Sequence, residues 1–146
     1  MSEAHVDPTR EQFDAFKALP RDRPILMINL VRYRERAAYP DGHPYAVEDL
    51  SGADAYRRYS KESGPIFARV GGTILWSGRP EVVLTGPTHE RWDAAFIARY
   101  PHAGAFLEMV TDPAYRAAVV NRQAAVLTSR LIRCAERSDG NGVKFG

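Results

Sequence analysis

Cysteine is almost missing from this chain: Cys134 stands alone among 146 residues, which excludes an internal disulfide and a thiolate metal cage and fits a reducing compartment. Lysine is scarce as well, 3 residues against 17 arginines, a ratio that suits phosphate recognition by guanidinium forks but also follows from genome composition alone. Charge of one sign never accumulates. The 20 basic and 18 acidic residues are spread along the chain with a net charge of +2, so no tract points to nucleic acid or to an anionic membrane surface. No apolar run approaches the roughly 20 residues of a membrane span, and no hydrophobic segment follows Met1. The expectation is a cytoplasmic protein without nucleic-acid or membrane partners.

Reaction signatures are missing too. Gly71-Gly72 and Gly78 follow a helix and open a strand, the reverse of a phosphate-binding loop. No nucleophile elbow and no paired-histidine helix occurs, and His5, His43, His89 and His102 never fall at metal-ligand spacing, so neither metal nor cofactor is expected.

What the chain does have is strands that read apolar on both faces. Ile25 to Val31 is nearly continuous, Trp92 to Tyr100 alternates large and small apolar residues, and Val126 to Cys134 reads as buried on either side. A sheet in a chain this short covers one face with its own helices, so the other needs a second layer, most simply a homodimer partner.

The chain reads as a loose arm over 1–8, a single domain over 9–137 and a polar, glycine-rich tail over 138–146 that should fray. Thr9 and Gln12 have capping-box spacing, and Phe13, Phe16 and Leu19 follow at helical intervals before Pro20. A strand from Pro24 to about Tyr33 precedes a long loop over 34–50, of a length that is often functional. Ser51 and Asp54 start a helix whose stripe is Tyr56, Tyr59, Ser63, Ile66, Phe67 and Val70; Gly64-Pro65 should kink or split it. Gly71-Gly72 stops it. Thr73–Trp76 and Glu81–Thr85 read as a strand or bent hairpin, about Glu90–Arg99 as the next strand, His102–Val110 and Asp112–Ala125 as helices, and Val126–Cys134 as the last strand. This is an α+β, ferredoxin-like βαββαβ order with an extra N-terminal helix.

Six polar residues stand in apolar company and are the ligand-binding candidates. Asn29 shares a strand face with Ile25, Met27, Val31 and Tyr33, and Arg32 shares the opposite one with Leu26, Ile28 and Leu30. Each either satisfies a structural neighbour or offers donors to a pocket. Arg122 projects from the inward stripe of the last helix, with Val119, Ala118 and Tyr115 behind it, and requires an anion, either a carboxylate of the chain or a ligand. Tyr59, beside Tyr56, brings a hydroxyl to the same layer, though buried tyrosines are more often core than acid catalysts. Asp93 could hold a histidine or arginine in place, His89 and Glu90 read as a solvated strand edge, and Trp76 reads as packing at a bend or the aromatic wall of a cleft.

The run Ile25 to Arg34, then Tyr56 to Tyr59, Val70-Gly71-Gly72, Trp92-Asp93, Tyr100-Pro101, Ala105 to Met109, Asp112 to Tyr115 and Ser129 to Leu131, in this order, resembles the domain of unknown function 1330 family over about residues 22 to 134. That family is in turn similar to the dimeric alpha-beta barrel superfamily. The resemblance implies an antiparallel sheet that joins a partner's sheet to form a barrel. It implies no reaction, because the superfamily includes cofactor-free monooxygenases, lactone isomerases, stress-responsive proteins and haem enzymes. The leading helix and the 34–50 loop depart from the short family pattern, and would either lid a pocket or extend the dimer contact.

The leading expectation is a cleft between sheet and helices, lined by Asn29, Arg32, Tyr59, Trp76, Asp93 and Arg122, that takes a small anionic or aromatic ligand. Whether the protein is a cofactor-free enzyme, monooxygenase-like or isomerase-like, stays open; the alternative is a non-enzymatic dimer that binds a metabolite or another protein. A haem reading would need His89 or His102 as proximal ligand, and neither lies on an evidently apolar helix face.

Overall fold

Residues 4–136 are described by the computed structural model, and their helices begin where side chains can cap them. The elements are α1 (Arg10–Ala18), β1 (Ile25–Tyr33), α2 (Gly52–Arg69), β2 (Thr73–Gly78), β3 (Ala94–Tyr100), α3 (Ala103–Thr111), α4 (Pro113–Ala125) and β4 (Val126–Ala135), with a 3-10 turn at Pro44–Val47. Thr9 and Gln12 form the expected capping box on α1. Ser51 caps α2, and Asp112 caps α4 with Pro113 at its first position, where a missing N–H costs nothing. The expected tail, 138–146, lies outside the described residues.

The strands form one antiparallel sheet in the order β2-β3-β1-β4, which is the ferredoxin-like arrangement. One face is covered by α2 and α4, with Ile25, Met27, Ile66, Ala98, Tyr100 and Met109 in one buried cluster and Val31, Ala55, Tyr56, Ala125 and Val126 in another. Between them the α2 N-terminus lies against the 34–50 loop so closely that a Cβ on Gly52 would overlap the Arg34 carbonyl.

The other face has no layer over it. One cross-strand row runs Trp76, Ile97, Ile28, Ile132 through all four strands, and Trp76 is 54% and Ile132 48% exposed.

Four expectations are corrected. Helix α2 runs unbroken through Gly64-Pro65: Pro65 and Lys61, whose carbonyl loses its helical partner, are both on the exposed side, where water satisfies that oxygen. Glu81–Thr85 is not a strand. β2 is the sheet edge and its pairing ends at Gly78 opposite Ala95, so the alternating run beyond it meets no neighbour, and Leu84 is 92% exposed. Strand β3 starts at Ala94 rather than Glu90 because the rung before it is made by a side chain: Asp93 N–H donates to the Val31 carbonyl and its Oδ2 accepts from Tyr33 N–H, each at 2.8 Å. The arm is pinned over its described part, since Ser129 N–H donates to the His5 carbonyl at 2.7 Å and His5 N–H to Thr128 Oγ1 at 3.0 Å.

Candidate functional site

Between the covered face of the sheet, α2, α4 and the α1 segment lies an open cavity of about 1530 Å³. Its floor comes from two rungs of the sheet, Phe96–Asn29–Leu131 and Ala98–Met27–Arg133. Helix α2 supplies Tyr56, Tyr59, Ser63 and Phe67, α4 supplies Tyr115, Val119 and Arg122, and Phe13 and Phe16 of α1 close one side. Space remains because the two buried clusters do not meet: among the described residues only Tyr59 packs against both. α1 itself buries no residue, so its phenyl groups form a cavity wall and not core.

Polar groups on this wall are few and incompletely partnered. Asn29 Nδ2 donates to the Met27 carbonyl at 3.1 Å, whereas no donor among the described residues reaches its Oδ1. Tyr59 and Tyr115 hydroxyls bond each other at 2.8 Å, and Tyr56, its ring tilted between those of Tyr33 and Tyr59 with centroids 5.3 Å away on both sides, has no hydroxyl partner among the described residues. Burial pushes the Tyr56 and Tyr115 hydroxyls upward, opposed in both cases by the positive charge of Arg122; Tyr33 is raised by burial and then by the Asp93 carboxylate. These hydroxyls are therefore protonated donors at neutral pH.

Arg122 satisfies neither alternative for its anion within the chain. It donates to the Val6 carbonyl and, at 3.1 Å, to Ser129 Oγ, two neutral acceptors, and no described carboxylate pairs with it. The cavity wall carries Arg10, Arg57, Arg116, Arg122 and Arg133, of which Arg57 is ion-paired with Asp54, against one lining carboxylate, Asp7 on the arm. Chemically, such a wall can bind an anion and stabilise negative charge that develops on a substrate oxygen. It presents no glutamate, and its only imidazole is that of His5 on the arm.

Of the six sequence candidates, Asn29, Tyr59 and Arg122 line this cavity. Arg32, Trp76 and Asp93 do not. Arg32 is on the uncovered face, in a small depression of about 240 Å³ with His89, Glu90, Trp92 and Arg130. Trp76 is on that face too, because a register shift between Ile74 and Trp76 turns it away from the side that Ile74 faces. Asp93 has its carboxylate committed to the Tyr33 backbone. The 34–50 loop contributes nothing to the cavity; it is tied to α2 and α4 through Tyr45–Glu62, Arg58–Glu48 and Tyr39–Asn121. The leading helix is the element that lids the pocket. Sequence reasoning missed the contribution of the arm, of Tyr33 and of Ser129; the one signal for it was the Phe13, Phe16, Leu19 stripe, which had no assigned partner. His102, one of the two histidines a haem reading would need, is engaged in the fold, where its Nδ1 caps α3 by accepting from Ala105 N–H at 3.0 Å.

Residues 45–133 match the profile of a domain of unknown function, DUF1330. A crystal structure of the RPA0582 protein of unknown function from Rhodopseudomonas palustris is 51% identical, covering 93% of this chain and 99% of that one, with a TM-score of 0.85. The methylated form of RPA0582 gives 50% identity, coverage of 96% and 100%, and a TM-score of 0.87. A NIPSNAP-like domain protein from Burkholderia xenovorans, at 14% identity, coverage of 84% and 93% and a TM-score of 0.50, shares the fold alone. No curated protein matches.

Proposed function

The chain belongs to the DUF1330 family, and from that premise we propose that it is a cytoplasmic homodimer that binds a small molecule in the cavity between sheet and helices. The observation that carries the reading is the combination of an apolar wall with a few polar groups, Asn29 Oδ1 and the Tyr56 hydroxyl without a partner among the described residues and the Arg122 guanidinium on neutral acceptors only, converging on one space of about 1530 Å³. Ligand sites have this composition; cores do not. The roles of Asn29 and Tyr59 are to orient a ligand from floor and roof, and that of Arg122 is to attract its charge.

Turnover without a cofactor would use the donors on this wall to hold an oxyanion formed from the substrate. The non-enzymatic reading is favoured by a different observation: the sheet, α2 and α4 bring no glutamate, aspartate or histidine to the wall, whose proton acceptors His5 and Asp7 both sit on the arm. Native mass spectrometry of protein purified under mild conditions tests binding. Retention of a small molecule that Asn29→Leu and Arg122→Met fail to retain is the expected result; a bare mass together with a thermal midpoint unmoved by any compound of a metabolite library would overturn it, since a ligand at a hundred times its Kd stabilises by about 2.7 kcal/mol. Chemical change of the retained molecule on incubation separates enzyme from binder.

A further inference from the structure

Arg122 and Ser129 together present three donors to the arm and are bonded to each other. Arg122 Nη1 donates to the Val6 carbonyl and Nη2 to Ser129 Oγ, while Ser129 N–H and Oγ donate to the His5 carbonyl at 2.7 and 2.8 Å. Two carbonyl oxygens of adjacent residues thus sit on a guanidinium, an amide and a hydroxyl, the donor set that a carboxylate takes with its two oxygens. The cation remains uncompensated there: no described carboxylate pairs with Arg122, although seven other cationic side chains of the chain are ion-paired. A half-buried guanidinium on neutral acceptors is short of the anion that its desolvation calls for.

We propose that the arm carbonyls of His5 and Val6 hold the place of a ligand carboxylate, and that the ligand is a carboxylate with a large apolar body whose head displaces the arm from Arg122 and Ser129. The inference rests on the cavity being a ligand site and adds the chemistry of the ligand and the way it enters. The body follows from the wall, where Phe13, Phe16, Phe96, Phe106 and Met27 offer ring faces and a thioether to an aromatic or long aliphatic group. Displacement of the pinned arm uncovers little surface: residues 4, 5, 7 and 8 are exposed and only Val6 is partly covered. The neutral acceptors on Arg122 and Ser129 give way to a charged one that makes bonds roughly twice as strong. α1 stays in place on its own tether, Arg133, which donates to the Phe16 carbonyl at 3.1 Å and to the Pro20 carbonyl.

The experiment uses 1-pyrenebutyrate and its neutral amide, titrated by fluorescence into the full chain. The acid should bind at least roughly tenfold tighter than the amide. Arg122→Met should weaken the acid by roughly ten- to a hundredfold, the loss expected for a charge-assisted pair, and leave the amide unchanged; Ser129→Ala, a milder change, should weaken the acid alone by a smaller factor. Hydrogen exchange gives the second readout, because the His5 amide is held by Thr128 Oγ1: saturating acid should speed exchange in the arm and saturating amide should not. Acid and amide binding alike would overturn the carboxylate assignment and leave the cavity reading standing. Binding of neither would overturn both, and acid bound with arm exchange unchanged would refute displacement.

Discussion

Tyr56 and Tyr59 are three residues apart on the same stripe, yet their hydroxyls differ in what they do. The Tyr59 hydroxyl is bonded to that of Tyr115 at 2.8 Å, and its ring bridges two clusters; the Tyr56 hydroxyl has no partner among the described residues. Tyr59→Phe should therefore cost about 1 kcal/mol by leaving Tyr115 unsatisfied, and Tyr56→Phe close to nothing, with urea midpoints as the measure. The opposite order would mean that the free hydroxyl is engaged in solution. Ring removal separates Trp92 from Phe96 in the same way. Trp92, 8% exposed and faced by Arg130 at 5.2 Å, leaves a void when cut to alanine and should cost about 3 to 5 kcal/mol. Phe96 already borders open space, so Phe96→Ala enlarges a cavity that exists and should cost no more than about 2 kcal/mol. Equal losses would show the cavity to be closed over Phe96. At this scale the sequence was legible where side-chain period alone decides direction: Asn29 on an unbroken strand, Tyr59 and Arg122 on unbroken helices. It failed at Trp76, where one residue of register shift reverses the face, and at Asp93, whose carboxylate replaces a backbone acceptor in a way that no period signals.

Capping is the physical device by which the elements of this chain announce themselves. Thr9, Ser51, His102 and Asp112 each accept from a backbone N–H in the first turn of the helix they precede, and for three of the four the residue type and its spacing to the next polar residue were enough to place the helix. Strand limits were not legible, because they depend on a neighbour: the alternation of Glu81 to Thr85 resembles a strand and pairs with nothing. The two threonine and serine caps also predict different consequences for stability. Ser51 begins α2, which buries Tyr56, Ser63 and Ile66, so Ser51→Ala should lower global stability by about 1 kcal/mol. Thr9 begins α1, which buries nothing, so Thr9→Ala should fray that helix while the denaturation midpoint stays within about 0.3 kcal/mol of wild type. Amide exchange read peptide by peptide distinguishes them. A global loss on Thr9→Ala equal to that on Ser51→Ala would mean that α1 is part of the cooperative core and not a cover on the cavity.

For the whole molecule the unanswered surface is the uncovered face of the sheet. Leu26, Ile28 and Leu30 lie on it by strand alternation, and the row Trp76, Ile97, Ile28, Ile132 carries apolar side chains from one sheet edge to the other. A contiguous apolar patch rimmed by polar groups marks interaction surfaces, and this one is bordered by charge, Arg32 and Arg130 at one end and the Arg99–Glu136 pair at the other, as interfaces are. The proposed homodimer places two such faces against each other and should bury at least roughly 1,000 Å² in total. It also keeps the cavity floor free, since Asn29, Met27 and their rung partners face the opposite side of the same sheet. Sedimentation of the wild type at micromolar concentration should give twice the mass of the chain, and Ile132→Glu should give the single mass. Ile132 is 48% exposed in the isolated chain, so the glutamate can reach water there and the variant should still fold with its circular dichroism intact, whereas in the dimer it would place a charge against apolar side chains without a partner. A wild-type monomer would remove the dimer altogether, and an Ile132→Glu dimer would move the interface to another face.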